Sequence, residues 1–73
     1  MSEAIVAINA RNQFKGRIKE IIPGTVVSEV DVETAAGIVT SVVTTRSIAD
    51  LKLKVGSEVL TVFKSTEVLL AKL

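Results

Sequence analysis

Strict alternation of polar and apolar residues is the feature that most constrains the fold of this chain. In residues 25–34, TVVSEVDVET, Glu29 and Asp31 alternate with Val30 and Val32. Successive side chains of a β-strand point to opposite faces, so this pattern predicts a strand with one face in solvent and one in a core. Ser28 shares the phase of the inward-facing valines.

Other short segments rich in β-branched residues extend this prediction along the chain. They are Phe14–Ile22, Gly37–Thr45 and Ser57–Lys64, with a further segment at each end, Ala4–Asn9 and Glu67–Leu73. Turn signals separate them, most clearly Pro23-Gly24. Short strands with turns at regular spacing are typical of a small barrel or sandwich.

One stretch departs from the alternation, TTRSIADLKL at residues 44–53. Ser47 stands three residues before Asp50, an arrangement like a capping box that predicts one or two turns of helix. A single short helix between the later strands favours an all-β fold: a five-stranded OB-like barrel, formed as one domain over residues 1–73.

The chain lacks the disulfide and zinc cross-links that stabilise many small domains. It has 73 residues, 48% of them hydrophobic, and neither Cys nor His, so disulfides and structural zinc are excluded. A core of this size supplies only about 3–5 kcal/mol. We therefore expect an obligate oligomer whose subunits bury aliphatic surface against each other.

Composition also narrows the functional classes. The net charge is +1, which is too balanced for a dedicated nucleic-acid binder. No apolar run approaches the roughly 20 residues of a membrane span, and the N-terminus lacks the pattern of a signal peptide, so a soluble cytoplasmic protein is expected. Without His, Cys or a phosphate-binding loop, we expect no enzyme, no metal site and no catalytic cofactor.

Binding of an oxyanion remains possible, because backbone N–H groups, hydroxyls, amides and fixed positive charge suffice for it. Three donor-rich clusters occur, Asn9-Ala10-Arg11-Asn12, Thr44-Thr45-Arg46-Ser47 and Lys64-Ser65-Thr66. Each has a plain structural alternative: a turn, a helix cap and a hairpin turn, respectively. Lys15, four residues beyond Arg11, is interpreted as a solvated strand residue.

The order of these clusters resembles that of the molbindins, the small molybdenum-pterin-binding or Mop proteins, and of TOBE-type modules. The resemblance rests on NARNQFKGRI, GTVVSEVDVE, SVVTTRSIADLKLKVGSEV and VFKSTEVLLAKL, and covers the chain from about residue 5 to its end. One departure stands at Asn9, where many relatives have Ser; the longer amide would alter affinity or selectivity.

The resemblance implies an OB-like barrel assembled as a hexamer, a trimer of dimers, that holds molybdate or tungstate between subunits for storage or homeostasis. Carried over by position, Asn9, Ala10, Arg11 and Asn12 form one half of a site, with Lys64 and Ser65 on the same wall. Thr44 and Ser47 would come from a neighbouring subunit. Thr66 belongs to the Lys64 cluster, and Gly24 and Thr25 are candidates for a second site.

Two other interpretations stay open at this point. An OB-type fold could bind single-stranded nucleic acid, although the chain offers only Phe14 and Phe63 for base stacking. Alternatively, the chain could be a purely structural oligomerisation module, indifferent to every oxyanion.

Overall fold

The structure, a computed structural model, describes residues 11–73. These residues form an antiparallel sheet and two short helical segments. The strands are β1 (Asn12–Ile22), β2 (Val27–Thr34), β3 (Gly37–Thr44) and β4 (Glu58–Phe63); helix α1 covers Thr45–Asp50, and a 3-10 turn covers Ser65–Glu67.

The four strands lie in the order β3-β2-β1-β4, so β1 and β2 are central and the other two form the edges. Asn12 pairs with Phe63 at one end of β1, and Ile22 pairs with Glu29 of β2 near the other end. Thr44, the last residue of β3, pairs with Val27. The start of β1 and the end of β3 therefore lie at opposite ends of the sheet.

A bulge in β1 explains why its sequence alternation fails midway. The pairing with β2 shifts between Ile18 and Glu20, which leaves Lys19 as the extra residue. Ile18 faces the core before the bulge, and Ile21 packs against the core after it. Two consecutive polar residues are thus accommodated without turning either isoleucine into solvent.

The core of the described chain is small. Its buried apolar residues are Ile18, Val30 and Val32, and the predicted alternation of β2 is confirmed because Ser28 is buried with the two valines. An open groove of about 670 Å³ runs over this face, lined mainly by aliphatic side chains of all four strands and of the residues after α1.

Helix α1 begins one turn earlier than predicted. Thr44, not Ser47, is the N-cap: the Ser47 N–H donates to Thr44 Oγ1 at 3.1 Å. A capping box around Ser47 and Asp50 is therefore wrong, because the hydroxyl three residues upstream already satisfies that N–H. The helix ends with Lys52 at φ 54° and the Leu53 N–H donating to the Ile48 carbonyl at 2.9 Å.

The closed five-stranded barrel is not confirmed, since the described residues form an open half-barrel of four strands. The predicted strand Glu67–Leu73 is wrong for this single chain: after the 3-10 turn, residues 68–73 adopt no strand. A strand requires a hydrogen-bonded neighbour, and none of the four described strands pairs with this segment. The predicted strand Ala4–Asn9 lies outside the described residues.

Candidate functional site

Two of the three predicted donor clusters meet at one end of the sheet. Asn12 opens β1 directly opposite Phe63, the last residue of β4. Arg11 precedes Asn12, and Lys64 and Ser65 follow Phe63, so the ladder brings the two clusters side by side. We call Arg11, Asn12, Lys64 and Ser65 the basic wall. Asn9 and Ala10, predicted members of the same wall, lie outside the described residues.

The basic wall presents two cations that lack an acidic partner among residues 11–73. Arg11 and Lys64 are exposed, and no salt bridge joins either cation to another residue within 11–73. Lys15, by contrast, lies 3.6 Å from a carboxylate oxygen of Glu58, with its side chain 73% exposed. Lys15 is thus the solvated strand residue that was predicted. Ser65 and Thr66, in the 3-10 turn, are exposed as well.

The third cluster forms a pair of hydroxyls at the start of α1. Thr44 Oγ1 and Ser47 Oγ lie 2.7 Å apart, and Thr44 Oγ1 also accepts the Ser47 N–H. Each hydroxyl carries one hydrogen, and their mutual bond uses one of the two. One hydroxyl hydrogen of this pair, which we call the hydroxyl wall, therefore stays available to an external acceptor.

A closed ring of hydrogen bonds lies directly behind the hydroxyl wall. Thr45 Oγ1 donates to the Gly24 carbonyl at 2.7 Å and lies 2.8 Å from Ser28 Oγ. Because the single hydrogen of Thr45 Oγ1 is already used, Ser28 must be the donor in their bond. Ser28 Oγ in turn accepts the Gly24 N–H at 3.2 Å. We call Gly24, Ser28 and Thr45 the hydroxyl ring.

The candidates for a second site, Gly24 and Thr25, lie beside the hydroxyl wall. A side chain at position 24 would collide with the Val27 carbonyl, so only glycine fits this tight loop. The Gly24 N–H and carbonyl are both engaged in the hydroxyl ring. Thr25 is exposed, and its hydroxyl has no hydrogen-bond partner in the described part of the chain.

The basic wall and the hydroxyl wall do not meet within one chain. Strand β1 has 11 residues, and at about 3.3 Å per residue its ends are roughly 30 Å apart. The basic wall lies at its first residue, whereas the hydroxyl wall lies beyond its last, beside Val27. A site that uses both walls must therefore take them from two copies of the chain.

Ser28 and Thr45 were not singled out as functional residues from the sequence. The signal that could have found Ser28 is a hydroxyl at an inward-facing position between valines, because a buried hydroxyl requires a partner. Ser28 is only 2% exposed. Thr45 was one of the four donor residues in the cluster at residues 44–47. The inward direction of its side chain depends on where β3 ends, which the sequence does not show.

Within the described residues, no helix is long and apolar enough to cross a membrane.

Comparison with known proteins gives a consistent family. The TOBE domain model matches residues 8–70. Molybdenum-pterin-binding protein 3 of Clostridium pasteurianum is 44% identical over 66 residues, which cover 89% of this chain and 97% of that protein.

Solved structures agree with the sequence comparisons. A molybdate binding protein from Sporomusa ovata superimposes with a TM-score of 0.86 at 31% identity, covering 92% of this chain and 100% of its own. The cytoplasmic molybdate-binding protein ModG, with molybdate bound, gives a TM-score of 0.78 at 35% identity, over 84% of this chain and 44% of its own.

Proposed function

This chain belongs to the TOBE domain family and to its molybdenum-pterin-binding proteins, and we propose that it binds molybdate, or the similar dianion tungstate, between subunits. The observation that carries the proposal is the β1–β4 register, which aligns Asn12 with Phe63 and so gathers the basic wall. Relatives described as molybdate-binding supply the identity of the ion.

The chemistry of the two walls suits a tetrahedral dianion. The guanidinium of Arg11 and the ammonium of Lys64 supply charge-assisted hydrogen bonds, which a dianion removed from water requires. Asn12, Ser65 and Thr66 add neutral donors, as do the predicted residues Asn9 and Ala10. The hydroxyl wall of a neighbouring copy, Thr44 and Ser47, completes the cage, and Thr25 with Gly24 marks a second, weaker site.

Binding of this kind is passive. The ion exchanges its hydration shell for fixed donors, and no covalent bond forms or breaks. The role is therefore storage and homeostasis of the oxyanion in the cytoplasm rather than catalysis, and it requires no catalytic cofactor.

Exposed aliphatic surface supports the assembly that such a site needs. Leu69, Leu70 and Leu73, at the end of the chain, are each more than nine-tenths exposed (92%, 94% and 116%), and the apolar groove over the core is open. Contact between copies would cover both surfaces. A hexamer built as a trimer of dimers is the assembly that we propose, in keeping with the family resemblance.

Calorimetric titration of the purified protein with molybdate, alone and in excess sulfate, tests the proposal. We expect uptake of about one ion or more per subunit that survives sulfate, since smaller tetrahedral ions fit the same donors less well. No uptake by an intact oligomer would overturn the proposal in favour of a structural module. Tight binding of a single-stranded oligonucleotide instead would favour the nucleic-acid interpretation.

A matched pair of lysine variants tests the basic wall. Lys64→Ala should weaken molybdate binding roughly tenfold or more, because it removes a charge-assisted donor. Lys54→Ala removes the same charge from an exposed lysine that belongs to neither wall, in the turn before β4. It should leave the dissociation constant unchanged. Equal effects of the two variants would mean that only net charge matters and would remove Lys64 from the site.

A further inference from the structure

The hydroxyl ring joins two parts of the chain that are distant in sequence. Gly24 belongs to the loop between β1 and β2, whereas Thr45 is the first residue of α1. Besides the ring, the Thr45 N–H donates to the Val26 carbonyl at 2.8 Å. Thr45 therefore donates two hydrogen bonds to this loop and accepts one from Ser28 of β2, and together they fix the start of α1.

The ring is partly protected from solvent, because its two bonds to Ser28 are partly buried while the bond from Thr45 to Gly24 is exposed. Ser28 is 2% exposed and is the buried polar residue of the described chain, and both its donor and its acceptor function are satisfied within the ring. Hydrogen bonds shielded from water are stronger and polarise one another when they form a closed chain. These hydrogen bonds thus join the loop, the start of β2 and the start of α1 as one unit.

The members of the hydroxyl wall depend on that unit for their position. Thr44 is exposed and directly precedes Thr45, while Ser47 is fixed to Thr44 through its own N–H and hydroxyl. Thr44 also ends β3 opposite Val27 of β2, whereas the Ser47 side chain bonds to Thr44 among the described residues. Their direction therefore depends on the end of the β2–β3 ladder and on where the hydroxyl ring holds Thr45.

We propose that Ser28 and Thr45 are positioning residues of the oxyanion site: without touching the ion, their hydroxyl ring with Gly24 aims Thr44 and Ser47 at it. This inference rests on the proposed function. It explains why two adjacent threonines stand at the end of β3, since the exposed one serves the ion and the inward one serves the ring.

Isosteric variants at position 45 provide the sharpest test. Thr45→Val keeps the shape of the side chain but removes the hydroxyl. We expect molybdate binding to weaken roughly tenfold, which is the lower end of the loss seen when a residue that orients a ligating group is removed. Thr45→Ser keeps the hydroxyl and should restore the dissociation constant to within about twofold. Ser28→Ala should match Thr45→Val, and the double variant should be no weaker, because the ring acts as a unit.

Val32→Ala is the control for a purely structural effect. Val32 is 3% exposed on the same strand and face as Ser28, so its truncation lowers thermal stability without touching the ring. Affinity, melting temperature and oligomer mass are measured for every variant. Val32→Ala should lower the melting temperature and leave the dissociation constant of the intact oligomer unchanged.

Unchanged affinity in Thr45→Val and Ser28→Ala, with a wild-type protein that binds molybdate, would overturn this inference and leave the proposed function intact. If Val32→Ala weakened molybdate binding as much as Thr45→Val and Ser28→Ala, the inference would also be overturned. The loss of affinity would then follow from lower stability rather than from the hydroxyl ring. Should Ser28→Ala fail to fold, the comparison of Thr45→Val with Thr45→Ser decides alone. A wild-type protein that takes up no molybdate would overturn both proposals together.

Discussion

The direction of a single side chain decides its role at the end of β3. Thr44 and Thr45 are chemically identical neighbours, yet Thr44 is exposed and caps α1, whereas Thr45 is half-buried and bonds to Gly24 and Ser28. Alternation along an extended backbone separates them. A count of hydroxyl hydrogens shows that the pair formed by Thr44 and Ser47 retains one donor for an external acceptor.

That count makes a prediction at the residue scale. Ser47→Ala frees the Thr44 hydroxyl to donate, so molybdate affinity should fall by less than about threefold. Adding Thr44→Val removes the last hydroxyl, and the loss in the double variant should exceed the sum of the two single losses. Calorimetric titration of the two single variants and the double variant measures this. Strictly additive losses would show that each hydroxyl binds the ion independently.

At the scale of elements, backbone irregularities matter more than regular strands. The bulge at Lys19 keeps both isoleucines of β1 on the core face. Helix α1 ends in a Schellman arrangement, in which the Lys52 N–H donates to the Ala49 carbonyl and the Leu53 N–H donates to the Ile48 carbonyl. That arrangement places Lys52 at φ 54°, a conformation that costs energy for any residue with a side chain.

Replacing Lys52 should therefore stabilise the protein. Lys52→Gly relieves the left-handed strain, and we expect a gain of about 0.5–1 kcal/mol in the free energy of unfolding. Lys54→Gly is the matched control, because Lys54 is also exposed but has a negative φ. It should be neutral or slightly destabilising. Chemical denaturation at one fixed protein concentration measures both, and a stability loss in Lys52→Gly would contradict this account of the helix end.

The elements predictable from the sequence are those set by local periodicity. Alternation located β2 within two residues and predicted the inward phase of Ser28, and β-branched content located β3 within one residue. The N-cap of α1 was predicted at Ser47 rather than at Thr44, because both residues carry a hydroxyl. Thr44 is the N-cap because β3 ends there. The strand at Glu67–Leu73 was predicted from its apolar pattern, yet a strand depends on a partner that pattern cannot supply. The hydroxyl ring joins residues up to 21 positions apart, beyond any local signal.

For the whole molecule, the small core makes stability a property of the assembly. Ile18, Val30 and Val32 are the buried apolar residues of the described chain, too few to support a fold of this size with a large margin. Large apolar residues stay exposed on the strands and at the C-terminal end. An ion that bridges two copies would stabilise both the fold and the oligomer by mass action.

Thermal unfolding should therefore respond to both protein and ligand concentration. The melting temperature should rise with protein concentration, and molybdate at about 100 times its dissociation constant should add roughly 2.7 kcal/mol of stability. Lys64→Ala should reduce this molybdate-dependent shift, while the concentration dependence without ligand persists. Scanning calorimetry measures both effects, and an unchanged molybdate shift in Lys64→Ala would exclude Lys64 from binding.

The central claim, a site shared between two copies of the chain, is tested most directly by subunit complementation. One variant lacks the basic wall (Arg11→Ala with Lys64→Ala), and the other lacks the hydroxyl wall (Thr44→Val with Ser47→Ala). We expect neither pure oligomer to retain molybdate. Oligomers assembled from equal amounts of the two variants should recover about a quarter of the wild-type molybdate per subunit. With random assortment, about one site in four then combines an intact basic wall with an intact hydroxyl wall. Mixed oligomers that stay empty while the wild-type protein binds would contradict a shared site.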